Sequence, residues 1–227
     1  KNSVVVAGVG MVPFVKPSVA QPYPVMAAEA ARLALQDAGL GYADVQQAYV
    51  GYVYGDSTAG QCALYEVGMT GIPIVNVNNN CSTGSTALYL ARQAVASGAV
   101  ECALALGFEQ MTPGALGVQF PDRASPFDRF DEATQALVGH AEIPLALRYF
   151  GGAGLAHMNE FGTPLETFAK IRAKASRHAT TRGVRRGTGH GFGGGELGIA
   201  AQIPHDAKRG ALVEGGLDRS GRLTFST

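Results

Sequence analysis

The chain has 227 residues, enough to bury a substantial core in one large domain or in one and a half ordinary ones. Lysine plus arginine and aspartate plus glutamate number 18 each, so no net field draws it to nucleic acid or to an anionic membrane surface. Cys62, Cys81 and Cys102 form no CxxC pair and the histidines no cluster at ligand spacing, so neither a disulfide framework nor a metal site is expected.

Strand and helix signals alternate through the first hundred residues. "SVVVAGVGM", Ser3 to Met11, is a β-branched run closed by glycines and followed by Pro13, which predicts a buried strand. From Pro22 to Gly39, Met26, Ala30, Leu33 and Ala34 recur at helical spacing and Gly39 supplies the stop. "QAYVGYVYGD", Gln47 to Asp56, predicts a second strand, Gly60 to Gly71 a short helix, and "IPIVNV", Ile72 to Val77, a third strand. "CSTGSTALYLARQAVASG", Cys81 to Gly98, predicts a helix apolar on more than one face, which belongs inside a large fold or at a subunit interface. "ECALALGFEQM", Glu101 to Met111, is the fourth strand. The β-α-β-α-β-α-β order predicts an α/β fold with a largely parallel sheet.

Between Thr112 and His178 prolines, glycines and charges break the pattern, and two helices are expected, Pro144 to Met158 and Pro164 to His178. The second should start with a capping box from Thr163 and Glu166. An insertion of this length is a natural cover for a site. The domain reading is therefore 1–111 for the alternating part, 112–178 for a helical loop domain, and 179–227 for a tail rich in glycine and arginine with no persistent period. That tail is expected to be disordered or the product of a frameshift. No apolar run approaches the ~18 residues of a membrane span, and no secretory signal opens the chain.

Cys81 lies between the third strand and the next helix, where open α/β sheets gather ligands beyond the carboxyl ends of their strands. A helix N-terminus favours a thiolate, and the same backbone N–H groups can hold the oxyanion formed when a carbonyl is attacked. Asn78, Asn79 and Asn80 suit a tight turn before it. A free cysteine is also a common core residue, the reading given to Cys102 within "ECALALGF" and to Cys62 in its short helix.

The segments "VGYVYGDSTAGQ", "GMTGIPIVNVNNNCSTGSTAL", "ECALALGFEQM" and "GGAGLAHMNEFGT" occur in this order, and the chain from about residue 3 to 178 resembles the sterol carrier protein X branch of the thiolases. The resemblance implies a thiolase-like βαβαβαβ layered half with an inserted, mainly helical loop domain. It implies an acyltransferase acting on 3-ketoacyl-CoA from fatty acids or sterol side chains, with Cys81 as the nucleophile that carries the acyl group and gives its own N–H to the oxyanion. Coenzyme A would be a co-substrate, with no bound cofactor and no metal. Acyl-CoA and CoA are the implied small-molecule partners, and the chain would form a homodimer or join a heteromeric partner.

The family's proton-shuttling segments, of the types HDCF and GHPxG, are not found in these residues, so turnover by this chain alone is expected to be incomplete. "GTGHGFGGGELG" lacks the proline, which makes His190 a poor match. His157 and Met158 fall where the resemblance places a CoA-channel lid, so they would touch pantetheine or pack a helix. Lys170, Arg172, Lys174 and Arg177 would meet CoA phosphates or line a solvated helix side. The alternative class of function is an acyl-CoA- or lipid-binding or assembly subunit without turnover of its own. The cysteine usage fits a reducing compartment, cytoplasmic or, in a eukaryote, peroxisomal.

Overall fold

The computed structural model describes residues 3–112, 117–140, 143 and 145–181, with the strand backbones at 197–202, 214–217 and 223–226. In chain order the elements are β1 (Val5–Met11), α1 (Tyr23–Ala38), β2 (Gln47–Gly51), α2 (Ala59–Tyr65), β3 (Ile74–Val77), α3 (Thr83–Ser97), β4 (Cys102–Gly107), α4 (Asp128–Val138), α5 (Leu145–Phe161), α6 (Leu165–Thr181), β5 (Leu197–Gln202), β6 (Glu214–Leu217) and β7 (Leu223–Ser226). They fall into two compact units, one holding the strands with α1 to α3 and the other holding α4 to α6.

The first unit has the α/β fold expected. Helix α1 stops where the sequence predicts, at Gly39, and α3 stops likewise at Gly98; their φ of 68° and 79° lie in the left-handed region that glycine enters without a Cβ clash. The five-stranded sheet runs β1-β5-β4-β2-β3. Strands β2, β3 and β4 are parallel, as crossover helices require. The sheet is otherwise mixed, because β5 runs antiparallel to both β4 and β1 and separates them. The tail, read from sequence as lacking strands, thus contributes three. A run such as "LGIAAQ" is short and mostly small, and its place comes from main-chain pairing on both edges, which leaves little mark on side-chain pattern.

Strand β4 is buried on both faces, which explains its unbroken apolar run. Cys102, Leu104 and Leu106 pack with Ala27, Ala31 and Leu35 of α1 and Leu64 of α2. Ala103 and Ala105 face the other way, towards Ala87, Ala91 and Val95 of α3. The small residues bring α3 close to the sheet. Helix α1 presses equally hard on β1: a Cβ at Gly10 would lie 2.3 Å from the Ala34 nitrogen. Leu88 and Leu90 remain half-buried and Tyr89 is exposed, so α3 buries one stripe within this unit.

The second unit contains the two helices predicted and a third, α4, whose polar residues masked its apolar spacing. The capping box is not formed as expected. Helix α6 begins at Leu165, and Glu166 pairs with Lys170 at 2.9 Å, one turn on. Tyr149 of α5 donates a hydrogen bond to Asp131 of α4, and Arg148 donates to the Gly139 carbonyl at 2.9 Å.

Candidate active site around Cys81

The parallel strands β2, β3 and β4 end at Gly51, Val77 and Gly107, and the chain leaving β3 turns through Asn78–Ser82 into α3. That turn is closed by its own polar side chains. Asn80 has φ of +49°, a conformation asparagine tolerates, and its N–H donates to Asn78 Oδ1 at 3.2 Å. The Thr83 hydroxyl accepts the Asn79 N–H at 2.8 Å and donates to the Asn80 carbonyl at 2.5 Å. Ser82 Oγ donates to the Asn79 carbonyl at 2.9 Å, and Asn79 Nδ2 donates to Thr86 Oγ1 at 2.9 Å. The asparagines therefore shape the turn as predicted, but the pin is Thr83. It is only 4 % exposed, and both its donor and acceptor needs are met inside the turn.

Cys81 is exposed on this turn, one residue before the N-cap Ser82. It precedes the helix where the sequence pattern placed it at the helix start, because Ser82 and Thr83 are spent on closing the turn. Among the described residues no acceptor meets the N–H groups of Cys81, Gly84 and Ser85. The approach of α3 to the sheet is tight here. A Cβ at Gly51 would meet Thr83 Cγ2 at 2.7 Å and the Thr83 carbonyl oxygen at 2.9 Å.

The other two cysteines differ from Cys81 and from each other. Cys102 is buried in β4, and desolvation raises its thiol above the usual range, with a further push from Asp44. Cys62 is exposed, which corrects its reading as a packing residue. Its side chain shares a hydrogen bond with the Tyr23 phenol, and that bond, with burial, pushes Tyr23 up to about 12.

Glu109 is the site residue that the sequence pattern did not single out. Its carboxylate accepts the N–H groups of Val53, at 3.0 Å, and Tyr54, at 3.1 Å, on the chain leaving β2. Burial raises its pKa, while the amide hydrogen bonds pull the other way. Tyr54 is raised as well, first by burial, then by the charge of Glu109 and then by Cys81. Nothing local marks Glu109, since its partners lie more than fifty residues upstream.

His157 and Met158 lie on α5, in the second unit. The His157 ring rests on Phe161 at 4.8 Å and edge-on to Phe168 of α6 at 6.2 Å between centroids, which is a packing use. Of the basic residues on α6, Lys170 pairs with Glu166 and Arg172 donates to Ser176 Oγ at 2.5 Å. His190, His205 and the Gly193–Gly195 run lie outside the described residues. Among the described residues no three His, Cys, Asp or Glu side chains could hold a metal ion.

The thiolase N-terminal domain model matches residues 4–125, more than half of the sequence. The chain belongs to the thiolase family. Within the family it sides with sterol carrier protein 2: the protein of that name from Oryctolagus cuniculus is 53% identical over 179 residues, covering 78% of this chain and 33% of the relative. The benzoylsuccinyl-CoA thiolase subunit BbsB of Thauera aromatica is 33% identical over 183 residues, 79% of this chain and 44% of that protein. The chain thus spans about a third of the length of its sterol carrier protein 2 relative. The fold has a solved counterpart. The structure of acetyl-CoA acetyltransferase from Syntrophomonas wolfei aligns with a TM-score of 0.60 at 16% identity, covering 89% of this chain and 64% of that one.

Proposed function

We propose that this thiolase chain carries the nucleophile of a CoA-dependent acyl transfer, with Cys81 as the residue that accepts the acyl group. One observation carries the reading: an exposed cysteine at the carboxyl ends of three parallel strands, on a turn closed by its own side chains, beside backbone N–H groups with no acceptor among the described residues. The Cys81 thiolate attacks the C3 carbonyl of a 3-ketoacyl-CoA, and those amides hold the oxyanion. The C2–C3 bond then breaks. The acyl group stays on sulfur as a thioester, and the departing CoA enolate takes a proton from a general acid. The thiol of a second CoA then returns its proton to that acid and attacks the carbonyl carbon of the thioester; the bond to the Cys81 sulfur breaks, and acyl-CoA and the free Cys81 thiolate are released. Fatty-acyl or sterol side-chain thioesters are the proposed substrate class. Coenzyme A acts as co-substrate, and a reducing compartment keeps the sulfur free.

The test is acyl capture. With acetyl-CoA in excess, intact-mass measurement should find one added acetyl group and peptide mapping should place it on Cys81, with the adduct lost in Cys81→Ala. Acetylation on Cys62, or none at all, would contradict the reading.

A second reading has its own support. Strand β3 stands at the edge of the sheet, and large apolar side chains of the α4–α6 unit are exposed, among them Leu137, Phe150 and Leu165. These surfaces favour assembly, as a homodimer or with another polypeptide, in which this chain binds acyl-CoA without turning it over alone. Acyl-CoA binding that survives Cys81→Ala, with no CoA released by the parent chain, would select this reading.

A further inference from the structure

Glu109 lies just beyond the end of β4, and the two amides it holds belong to the chain leaving β2, the neighbouring parallel strand. One carboxylate oxygen serves each amide, Oε2 for Val53 and Oε1 for Tyr54. The rest of the junction is equally constrained. Phe108 donates its N–H to the Gly51 carbonyl at 3.1 Å, and its ring stacks on Tyr52, with centroids 5.1 Å apart, and on Tyr23, at 4.9 Å. Gly51 in turn lies against Thr83, the residue that pins the Cys81 turn. The exits of β2 and β4 and the nucleophile turn are therefore packed as one body.

A half-buried carboxylate is a poor choice for merely sealing two strand ends, because burial works against its charge. An anion that grips two consecutive amides does something an apolar residue cannot: it fixes the direction in which the next side chain leaves the backbone. We propose that Glu109 is a positioning residue of the Cys81 site: through the Val53 and Tyr54 amides it fixes Tyr54 on the strand exit that packs against the Cys81 turn, so that this aromatic side chain sets how an acyl thioester approaches. In its acyl-transfer part the inference rests on the reading of Cys81 as acyl acceptor. In its geometric part it does not.

The experiment uses the full chain with Glu109→Ala, Glu109→Gln, Tyr54→Ala and the Glu109→Ala/Tyr54→Ala double variant. Cys81 is labelled with iodoacetamide, a small reagent, and with N-phenylmaleimide, a bulky one, and acetyl transfer from acetyl-CoA and the melting temperature are followed in parallel. Glu109→Ala is expected to raise the ratio of bulky to small labelling by about tenfold and to slow acetyl transfer, since misplacement of a site group by about 1 Å has effects of at least this size. Tyr54→Ala should match it. The double variant should add nothing to either single change, the sign of one residue acting through the other. Glu109→Gln keeps one carbonyl acceptor and should fall between Glu109→Ala and the parent; a residue needed only for folding would shift the melting temperature and leave the reagent ratio alone. Additive effects, or a ratio unchanged in Glu109→Ala while Tyr54→Ala alters it, overturn the inference. If Glu109→Ala does not fold, the same comparison runs with Glu109→Gln. Should the parent accept no acetyl group while the labelling ratio shifts as expected, the acyl reading falls and the positioning role stands.

Discussion

At the scale of single residues, Cys81 and Glu109 show how differently a side chain can announce itself. Cys81 is legible because the strand "IPIVNV" and the helix after it bracket it within a few positions, and the asparagines before it suit a turn. Glu109 is not, because its meaning comes from amides 55 and 56 residues away. Its raised pKa has a consequence for stability. Below the ordinary carboxylate value of 4.5 the group is neutral in both folded and unfolded chains. As pH rises past that value the unfolded chain ionises first, so stability is lost until the pH exceeds the raised folded-state pKa. Urea midpoints of the parent, compared with Glu109→Gln at a series of pH values from acid to neutral, should therefore fall relative to the variant as pH rises. A relative gain over that window would mean that the amides outweigh desolvation.

Among elements, the strength of the local signal follows its dependence on neighbours. The glycine stop of α1 and the apolar run of β4 are chemistry of their own segments, and they fall where the pattern puts them. Helix α4 and strand β5 leave no such local mark, the first behind its charges and the second behind small residues that carry no period. The β1–α1 contact has a test at this scale. A side chain at Gly10 would meet the backbone of α1 at Ala34 and Ala30 and the Cβ of Leu33 rather than displace a flexible tip, so the helix must move as a whole. Gly10→Val should destabilise the first unit by about 1–3 kcal/mol or more, the usual cost of overpacking, read as a lower urea midpoint. Gln36→Val, on the same helix but without that contact, should change it far less.

For the molecule as a whole, the two units differ in what holds them. The first has a continuous core on both faces of its sheet. In the second, no residue from 117 to 178 with a described environment is buried, and its long apolar side chains lie open, Leu137 at 84 % and Phe150 at 74 %. Segments with few buried apolar contacts open at low free energy. Brief trypsin treatment should therefore cut first at Arg129, Arg148, Lys170 or Arg172 and leave a fragment containing β1 to β4 intact. Protection of those sites at high protein concentration, lost on dilution, would show that association covers them. None of the described helices is long and apolar enough to cross a membrane.

By itself the amino-acid order settled what short stretches can decide: alternating strands and helices, the stop at Gly39, the place of Cys81 between β3 and α3, and the kinship with thiolases carried by whole segments. The tertiary structure alone decided the order β1-β5-β4-β2-β3, the burial that separates Cys102 from the exposed Cys81, and the meeting of Glu109 with Val53 and Tyr54. Propensity, turn chemistry and amphipathic period act over a handful of neighbouring residues, whereas strand order and buried partners are set by which distant surfaces exclude water together.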